Sequence, residues 1–318
     1  MRSFRTIITA GTGAATVVAA LATTPTSVGA SALPDVERQP GYQVPVLAGG
    51  AGGVSIVEDS AVAAKAAPTA KIVVTYIGFT APAKAAFQRA VAVWATKLTS
   101  PVPITIKATM ASFPAGILGS SGPSYVRKVN NVWYLEALAN KKAGKQLSPD
   151  ADVNANFNSK LGNWHFGTGP APVGTYDFQS VVTRELAHGL GFAGYGDVVK
   201  GLGTVKNAGT PSAFDLYTEL GTGAALKGMP DKSTKLAAAL TGGNVFFDSA
   251  AVRTANGGKA AKLYAPGTWR KYFSYSLLDE ATYPKGNQNS LMTPTIATGE
   301  TVRTPGPIAA AILRTIGW

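Results

Sequence analysis

The alternation of apolar and polar positions becomes regular after Lys71 and predicts a strand, a helix and a second strand in succession. Residues 72–79 are β-branched and aromatic, which favours a strand. Pro82 lies near the start of an amphipathic helix that we expect to run to about Leu98, and another strand is predicted over 103–108. A β–α–β opening of this kind is typical of α+β and α/β folds.

The most regular helical pattern covers residues 175–192. Its apolar residues recur at every fourth position and form one buried stripe: Phe178, Val182, Leu186 and Leu190. Arg184 and His188 are also four residues apart, so they share a face, which lies roughly opposite the apolar stripe. Gly189 and Gly191 indicate that the helix ends there. We therefore expect two polar side chains to project together from a helix that is otherwise core.

The remaining patterns are shorter. Residues 132–136 and 152–157 are predicted strands, separated by turns rich in Gly, Pro and Asn. Residues 308–316 are rich in Ala and Ile, which favours a C-terminal helix packed on the core.

The N-terminus has the pattern of a targeting segment. Arg2 and Arg5 precede an apolar stretch over 7–22, and small residues suitable for cleavage follow, so residues 1–30 are interpreted as a signal peptide. An uncleaved anchor is the alternative, although the stretch is short for a membrane span. Residues 31–70 contain several Pro and Gly and no sustained period, which predicts a flexible linker or pro-segment with little fixed structure. We expect a secreted protein, not an integral membrane protein.

Composition limits the chemistry. The 318 residues are 46% hydrophobic and 14% charged, which is enough apolar content for a core. There is no cysteine, and the two histidines are His165 and His188, so disulfides, thiol nucleophiles and three-histidine metal sites are excluded. The formal charge of +12 is scattered, with its densest group at Lys141, Lys142 and Lys145 and no interleaved aromatics. A nucleic-acid partner is therefore not expected.

Three segments carry a family resemblance. Residues 184–192 read RELAHGLGF, one substitution away from the zinc-peptidase pattern HExxHxxGF. In that pattern two histidines bind zinc, and the glutamate after the first is the general base toward metal-bound water. Residues 290–294 read SLMTP, which resembles the Met-turn of metzincins, with Met292 as the Met-turn methionine. Residues 276–280 read SLLDE where related secreted bacterial proteins have SHLDE, with a third histidine ligand.

The chain is thus similar to secreted bacterial zinc metallopeptidases of the metzincin type, in particular the leishmanolysin-like ones, over residues 71–318. The resemblance implies an α+β fold with an active-site helix and a Met-turn. It also implies that Glu185 has the position of the general base, that His188 has the position of a metal ligand, and that Gly191 lies in the turn that ends the helix.

The chain departs from the family at the ligands themselves. Arg184 and Leu277 stand at the first and third ligand positions, and Gly194 stands at the ligand position that metzincins have three residues after Gly191. Arginine stays protonated and offers no lone pair, so it cannot bind a metal. We therefore expect Glu185 and His188 to be vestigial, with no cofactor favoured and zinc only if the protein is active.

Three arrangements of these residues stay open at this stage. The guanidinium of Arg184 could occupy the space of the cation and pair with Glu185, Asp279 or Glu280. Alternatively, Arg184 points to solvent from a decayed site. A residual metal site would combine His188 with His165, Asp279 or Glu280, although no spacing rule supports it.

Two functional hypotheses of different class follow. The first is an exported, non-catalytic protein with a metallopeptidase-like fold that binds a peptide, protein or other surface ligand in the former cleft. The second is an active zinc endopeptidase with a rearranged site that uses Glu185 and His188. The loss of two ligand positions favours the first, because zinc affinity falls steeply when ligands are removed.

Overall fold

The computed structural model describes residues 37–57 and 69–318. The predicted signal peptide, 1–30, lies outside the described residues, as do 31–36 and 58–68. Within the described ranges, no helix has the length and apolar character needed to cross a membrane.

The described residues form six α-helices: α1 (Ala81–Ala95), α2 (Glu136–Ala143), α3 (Phe178–Leu190), α4 (Thr234–Leu240), α5 (Ala250–Ala255) and α6 (Gly306–Ile316). The strands of the first half are β1 (Arg38–Pro40), β2 (Val44–Val57), β3 (Ile72–Ile77), β4 (Ile104–Ala111), β5 (Ile117–Pro123), β6 (Tyr125–Val129), β7 (Val132–Leu135) and β8 (Val153–Asn158). The later strands are β9 (Trp164–His165), β10 (Tyr176–Asp177), β11 (Asp197–Val199), β12 (Leu202–Thr204), β13 (Thr218–Leu220), β14 (Val245–Phe247), β15 (Ala261–Lys262) and β16 (Thr295–Val302). Short 3₁₀ turns lie at Asp215–Tyr217, Leu226–Gly228 and Ser290–Met292.

A six-stranded sheet with the order β16-β2-β5-β8-β4-β3 organises the molecule. Strands β3, β4 and β8 are parallel to one another, β5 is antiparallel to both of its neighbours, and β16 is parallel to β2. Smaller two- and three-stranded sheets accompany it. The mixture of a large mixed sheet, small sheets and helices confirms the α+β class in general.

The predicted β–α–β opening is confirmed as β3, α1 and β4. Helix α1 begins after Thr80, whose side chain accepts a hydrogen bond from the backbone N of Ala83. It ends at Ala95 rather than at Leu98. The indole Nε1 of Trp94 donates to Thr183 O at 2.9 Å, which ties α1 to α3. The predicted strands over 132–136 and 152–157 correspond to β7 and β8, and the predicted C-terminal helix corresponds to α6.

The N-terminal segment differs from its prediction. Residues 31–70 were expected to have little fixed structure, which is wrong for 38–40 and 44–57, because these residues form β1 and β2. Val44 and Val46 are buried, and β2 pairs with β5 on one edge and with β16 on the other. Hydrogen bonds to neighbouring strands stabilise this segment, and such bonds leave no periodic signal in a Gly-rich stretch.

Helix α3 packs tightly on the central sheet at Gly189. A Cβ atom at this position would overlap Cγ1 of Val153 in β8 and would lie 3.1 Å from Oγ of Ser121 in β5. The absence of a side chain therefore lets the helix approach the strands closely.

We expect Gly189→Ala to lower the free energy of unfolding. Overpacking costs about 1–3 kcal/mol and outweighs the gain of up to about 1 kcal/mol in helix propensity. Urea unfolding of the purified protein measures the difference. Gly162→Ala is the matched control, because a Cβ at Gly162 meets nothing within 4 Å. An unfolding midpoint for Gly189→Ala equal to that of Gly162→Ala would contradict the close approach.

Candidate functional site

The N-terminus of α3 is fixed by a buried ion pair. Asp177 is the N-cap residue, and its Oδ2 accepts hydrogen bonds from the backbone N of Ser180 at 2.9 Å and from Ser180 Oγ at 2.6 Å. Arg303, just after β16, donates from Nη2 to Asp177 Oδ1 at 2.8 Å. Both side chains are buried, so this charge-assisted pair joins the helix start to the end of β16.

The C-terminus of α3 is fixed by the last residues of the chain. Gly191 ends the helix with φ 124°, and a Cβ there would lie 2.5 Å from Cδ1 of Ile316 in α6. The indole Nε1 of Trp318 donates to Leu190 O at 2.7 Å, which satisfies one of the carbonyls that a helix end leaves free. The helix therefore has a fixed position at both ends.

All residues of α3 are buried, including the ionisable ones. Arg184, Glu185 and His188 each have 0% exposure. The helix contacts α1, β5 and β8. It also contacts β16 and the 3₁₀ turn Ser290–Met292 that precedes β16. Arg184 and His188 are therefore buried rather than exposed on the face opposite the apolar stripe, and the alternative that Arg184 points to solvent is wrong. Helical periodicity could not reveal that residues 290–302 cover this face.

The guanidinium of Arg184 contacts the segment that resembles a Met-turn. Its Nη1 and Nη2 atoms make long hydrogen bonds of 3.5 and 3.4 Å to Pro294 O, and its Nε has no partner among the described residues. Burial lowers the pKa of Arg184 to about 10, while the carboxyl groups of Glu185, Glu300 and Glu280 raise it. Arg184 therefore remains a buried cation at neutral pH.

The predicted partners of Arg184 divide into two groups. Glu185 and Glu280 act on it electrostatically, as does Glu300, which the sequence did not suggest. Asp279 has other partners, because its Oδ1 accepts a hydrogen bond from Thr282 Oγ1 at 2.6 Å and lies 3.7 Å from Lys262 Nζ. The carboxyl groups that act on the Arg184 cation therefore do so electrostatically rather than through hydrogen bonds.

Glu185 is a buried carboxyl group without a hydrogen-bond partner. Neither of its oxygens has one within the described part of the chain. Burial raises its pKa to about 8, and the nearby Arg184 opposes that change. Glu185 is therefore mainly protonated at neutral pH, which is unsuitable for a general base that must accept a proton.

His188 is a neutral imidazole. Its Nδ1 lies 2.8 Å from Phe192 O, so Nδ1 carries the hydrogen and donates it, and the lone pair resides on Nε2. Nε2 is buried and has no partner among the residues described. Burial lowers the pKa of His188 to about 3, and the positive charge of Arg184 acts in the same direction.

The structure brings the two downstream segments together. Met292 is buried in the 3₁₀ turn, and its carbonyl accepts a hydrogen bond from Leu278 N at 2.8 Å. The neighbouring Leu277 is also buried, and its carbonyl accepts a hydrogen bond from Tyr264 N at 2.8 Å. The SLLDE and SLMTP segments thus lie side by side, and the second of them contacts α3.

The donor atoms do not fit a zinc ion. His188 supplies one lone pair, whereas Arg184 supplies a cation and Leu277 an aliphatic side chain, at the other two positions where the resemblance would have imidazoles. Within the described ranges, no group of three His, Cys, Asp or Glu side chains is placed to hold a metal ion. His165 lies in β9, with Nε2 3.0 Å from Gly169 O.

A buried carboxyl group that sequence reasoning missed supports the turn after α3. Asp215 accepts hydrogen bonds from Tyr275 Oη at 2.7 Å, Tyr195 N at 3.0 Å and Ser212 N at 2.8 Å. Burial raises its pKa to about 6. Tyr275 Oη also lies 2.7 Å from Thr218 Oγ1. No local pattern could predict this network, because it joins residues up to 80 positions apart.

A small pocket of about 130 Å³ lies beside this network, at the end of α3. Its lining includes Tyr42, Gly194, Lys271, Tyr272 and Ser276. Tyr272 has φ 71°, in the left-handed region that bulky residues rarely adopt. Strained backbone of this kind is concentrated at functional sites.

A comparison of the chain with known protein families, curated proteins and solved structures finds no match.

The buried carboxyl group of Glu185 predicts a decrease in stability from pH 6.5 to pH 8. The folded protein holds this proton up to a pKa of about 8, whereas the unfolded chain loses it near 4.5. The unfolded state therefore binds fewer protons in this range, and the free energy of unfolding falls by at most about 1.4 kcal/mol per pH unit. His188 acts in the opposite direction, but only between about 3 and 6.5.

Urea unfolding at pH steps from 6.5 to 8 measures this dependence. Glu185→Gln should remove most of the slope, because the amide does not titrate. His188→Gln is the control and should keep the slope. A slope unchanged in Glu185→Gln would show that Glu185 is ionised in the folded protein at neutral pH.

Proposed function

We propose that this chain is an exported, non-catalytic protein on a metallopeptidase-like fold of the metzincin type, in which a buried arginine replaces the catalytic cation. The observation that carries the proposal is the position of Arg184. Its guanidinium is fully buried and bonds to Pro294 O in the segment that resembles the Met-turn.

The burial of the helix supports the absence of peptidase activity. Hydrolysis of a peptide requires that a nucleophilic water and the scissile carbonyl reach the general base. Glu185 and His188 have no exposed surface, and Glu185 is mainly protonated at neutral pH. A substrate has no route to these groups in this conformation.

The electrostatics support a structural role for Arg184. A buried charge is costly unless nearby groups compensate for it. The carbonyl of Pro294 and the carboxyl groups of Glu280 and Glu300 provide that compensation. The Arg184 cation thus links α3 to the SLMTP segment through its bonds to Pro294 O, and it interacts electrostatically with the acidic residues around them.

The ligand of such a protein would be a peptide or a protein segment, bound next to the former site. The pocket at the end of α3 supports this choice, since it combines the aromatic Tyr42 and Tyr272 with the hydroxyl of Ser276 and the ammonium of Lys271. Aromatic groups with a few polar ones are typical of peptide and small-ligand sites. Export rests on the signal-peptide pattern of residues 1–30.

An active zinc endopeptidase with a rearranged site is the second candidate. One observation favours it: His188 Nε2 and both oxygens of Glu185 lack partners among the described residues. These atoms are the ones that a metal-dependent site would use. The nearby positive charge of Arg184 disfavours a second cation.

Zinc analysis of the purified protein distinguishes the two candidates. We expect substoichiometric zinc and no cleavage of casein, because one imidazole beside a guanidinium does not hold the ion. The double variant Arg184→His, Leu277→His should gain stoichiometric zinc, since three imidazoles then become available. Mass spectrometry of the metal content measures both.

Two control variants complete the test. Arg184→Gln, Leu277→His removes the same cation but provides one imidazole fewer, so it should bind zinc much more weakly than the double histidine variant. His188→Ala in the double histidine background should also lose the metal. Stoichiometric zinc in the unmodified protein, lost in His188→Ala, would overturn the non-catalytic proposal in favour of the second candidate.

A further inference from the structure

Strand β2 has an unusual place for the first long strand of a chain, because it lies inside the sheet. Val44–Leu47 pair antiparallel with β5, and Leu47–Val57 pair parallel with β16. Strand β2 also contacts α3. This segment therefore fills a slot between two strands, and the slot lies against the buried helix.

Main-chain atoms of β2 form hydrogen bonds in the slot. Ala48 N donates to Gly116 O at 2.9 Å, and Tyr176 Oη donates to Gly49 O at 3.0 Å. The buried side chains of Val44 and Val46 anchor the N-terminal half. Backbone bonds with side-chain anchors at alternate positions are how an extended peptide is bound by strand addition.

The slot selects for small residues at defined positions. A Cβ at Gly49 would lie 2.9 Å from Ile296 O, and a Cβ at Gly52 would lie 3.0 Å from both Ala297 Cβ and Thr298 O. In contrast, a Cβ at Gly50 meets nothing within 4 Å. The slot therefore excludes a side chain at position 49 but has room for one at position 50.

Strand β2 has two features that weaken strand pairing. Four of the five residues 49–53 are glycine, which loses the most conformational freedom on ordering and offers no side chain to pack. The pairing also shifts register once against β5 and twice against β16. These features favour local opening of β2 at a lower free energy than global unfolding requires.

The same segment covers the pocket at the end of α3. Tyr42 and Val44 form part of its lining, together with Gly194 and Ser276. The Tyr42 ring lies 5.8 Å from that of Tyr195. Displacement of residues 41–57 would therefore open the pocket and the β5 edge together.

We propose that residues 41–57 are a resident peptide in a strand-addition site between β5 and β16, and that an extended peptide rich in small residues binds in their place when they detach. This proposal rests on the proposed peptide-binding function and names its site and ligand class. A tethered strand has an effective concentration of the order of millimolar, so it outcompetes micromolar peptide until the chain is cut.

Cutting the chain after β2 tests the proposal. A specific protease recognition sequence is inserted between Val57 and Thr69 of the full chain, and the protein is compared before and after cleavage. The probe is a fluorescent synthetic peptide of residues 41–57, followed by anisotropy. We expect binding to the cut protein at least about a hundredfold tighter than to the intact one.

Two peptide variants provide the matched controls. The peptide with Gly50→Val should bind like the original, whereas the peptide with Gly49→Val should lose binding, because its side chain would meet Ile296 O. Equal binding of both variants would overturn the slot, as would no binding to a cut protein whose circular dichroism is native. Equal binding to intact and cut protein would overturn the role of residues 41–57 as the occupant.

Hydrogen exchange of the intact protein tests the same proposal without cleavage, so loss of folding after cutting would not leave it undecided. The amides of β2 should exchange faster than those of β4 and β8, which are central in the same sheet. Exchange of β2 only at the rate of global unfolding would overturn the proposal. Neither peptide binding nor hydrogen exchange depends on zinc. Failure of the strand-addition proposal can therefore be distinguished from failure of the non-catalytic proposal.

Discussion

Burial of α3 on all sides is the constraint on which the other features depend. The buried pair of Asp177 and Arg303 fixes one end of the helix, and Trp318 fixes the other by bonding to Leu190 O. Between them, Gly189 rests against Val153. A helix held in this way cannot rotate to expose a polar side chain, so its ionisable groups must adapt to the interior.

Each ionisable group adapts according to its own chemistry. Glu185 and His188 become neutral in opposite ways, since burial raises the pKa of the acid and lowers that of the base. Arg184 cannot do so, because its pKa stays near 10 even after burial. The result is a single positive charge on the buried helix, and the carbonyl of Pro294 and the surrounding carboxyl groups offset its cost.

The sequence predicted the elements whose stability is local and missed those whose stability is not. The opening strand and helix, α3 and α6 have apolar residues at regular intervals, so periodicity located them. Strand β2 has no such pattern, because its stability comes from β5 and β16. For the site, the ligand positions Arg184 and Leu277 could be read from a motif, whereas their burial depends on segments distant in sequence. The network of Asp215 and Tyr275 was invisible for the same reason.

The slot of β2 and the buried cation are physically linked through β16. This strand begins just after Pro294, which bonds to Arg184, and it contains Glu300, whose carboxyl group acts on the same guanidinium. Within the described sheet, β2 is the one strand that pairs with β16. Departure of β2 would leave β16 attached mainly by its contacts with α3 and β10 and by the hydrogen bond from Gly299 N to Thr175 O, just before β10, at 2.9 Å. The compensation of the buried charge therefore depends on whichever peptide occupies the slot, which couples occupancy of the slot to the core of the molecule.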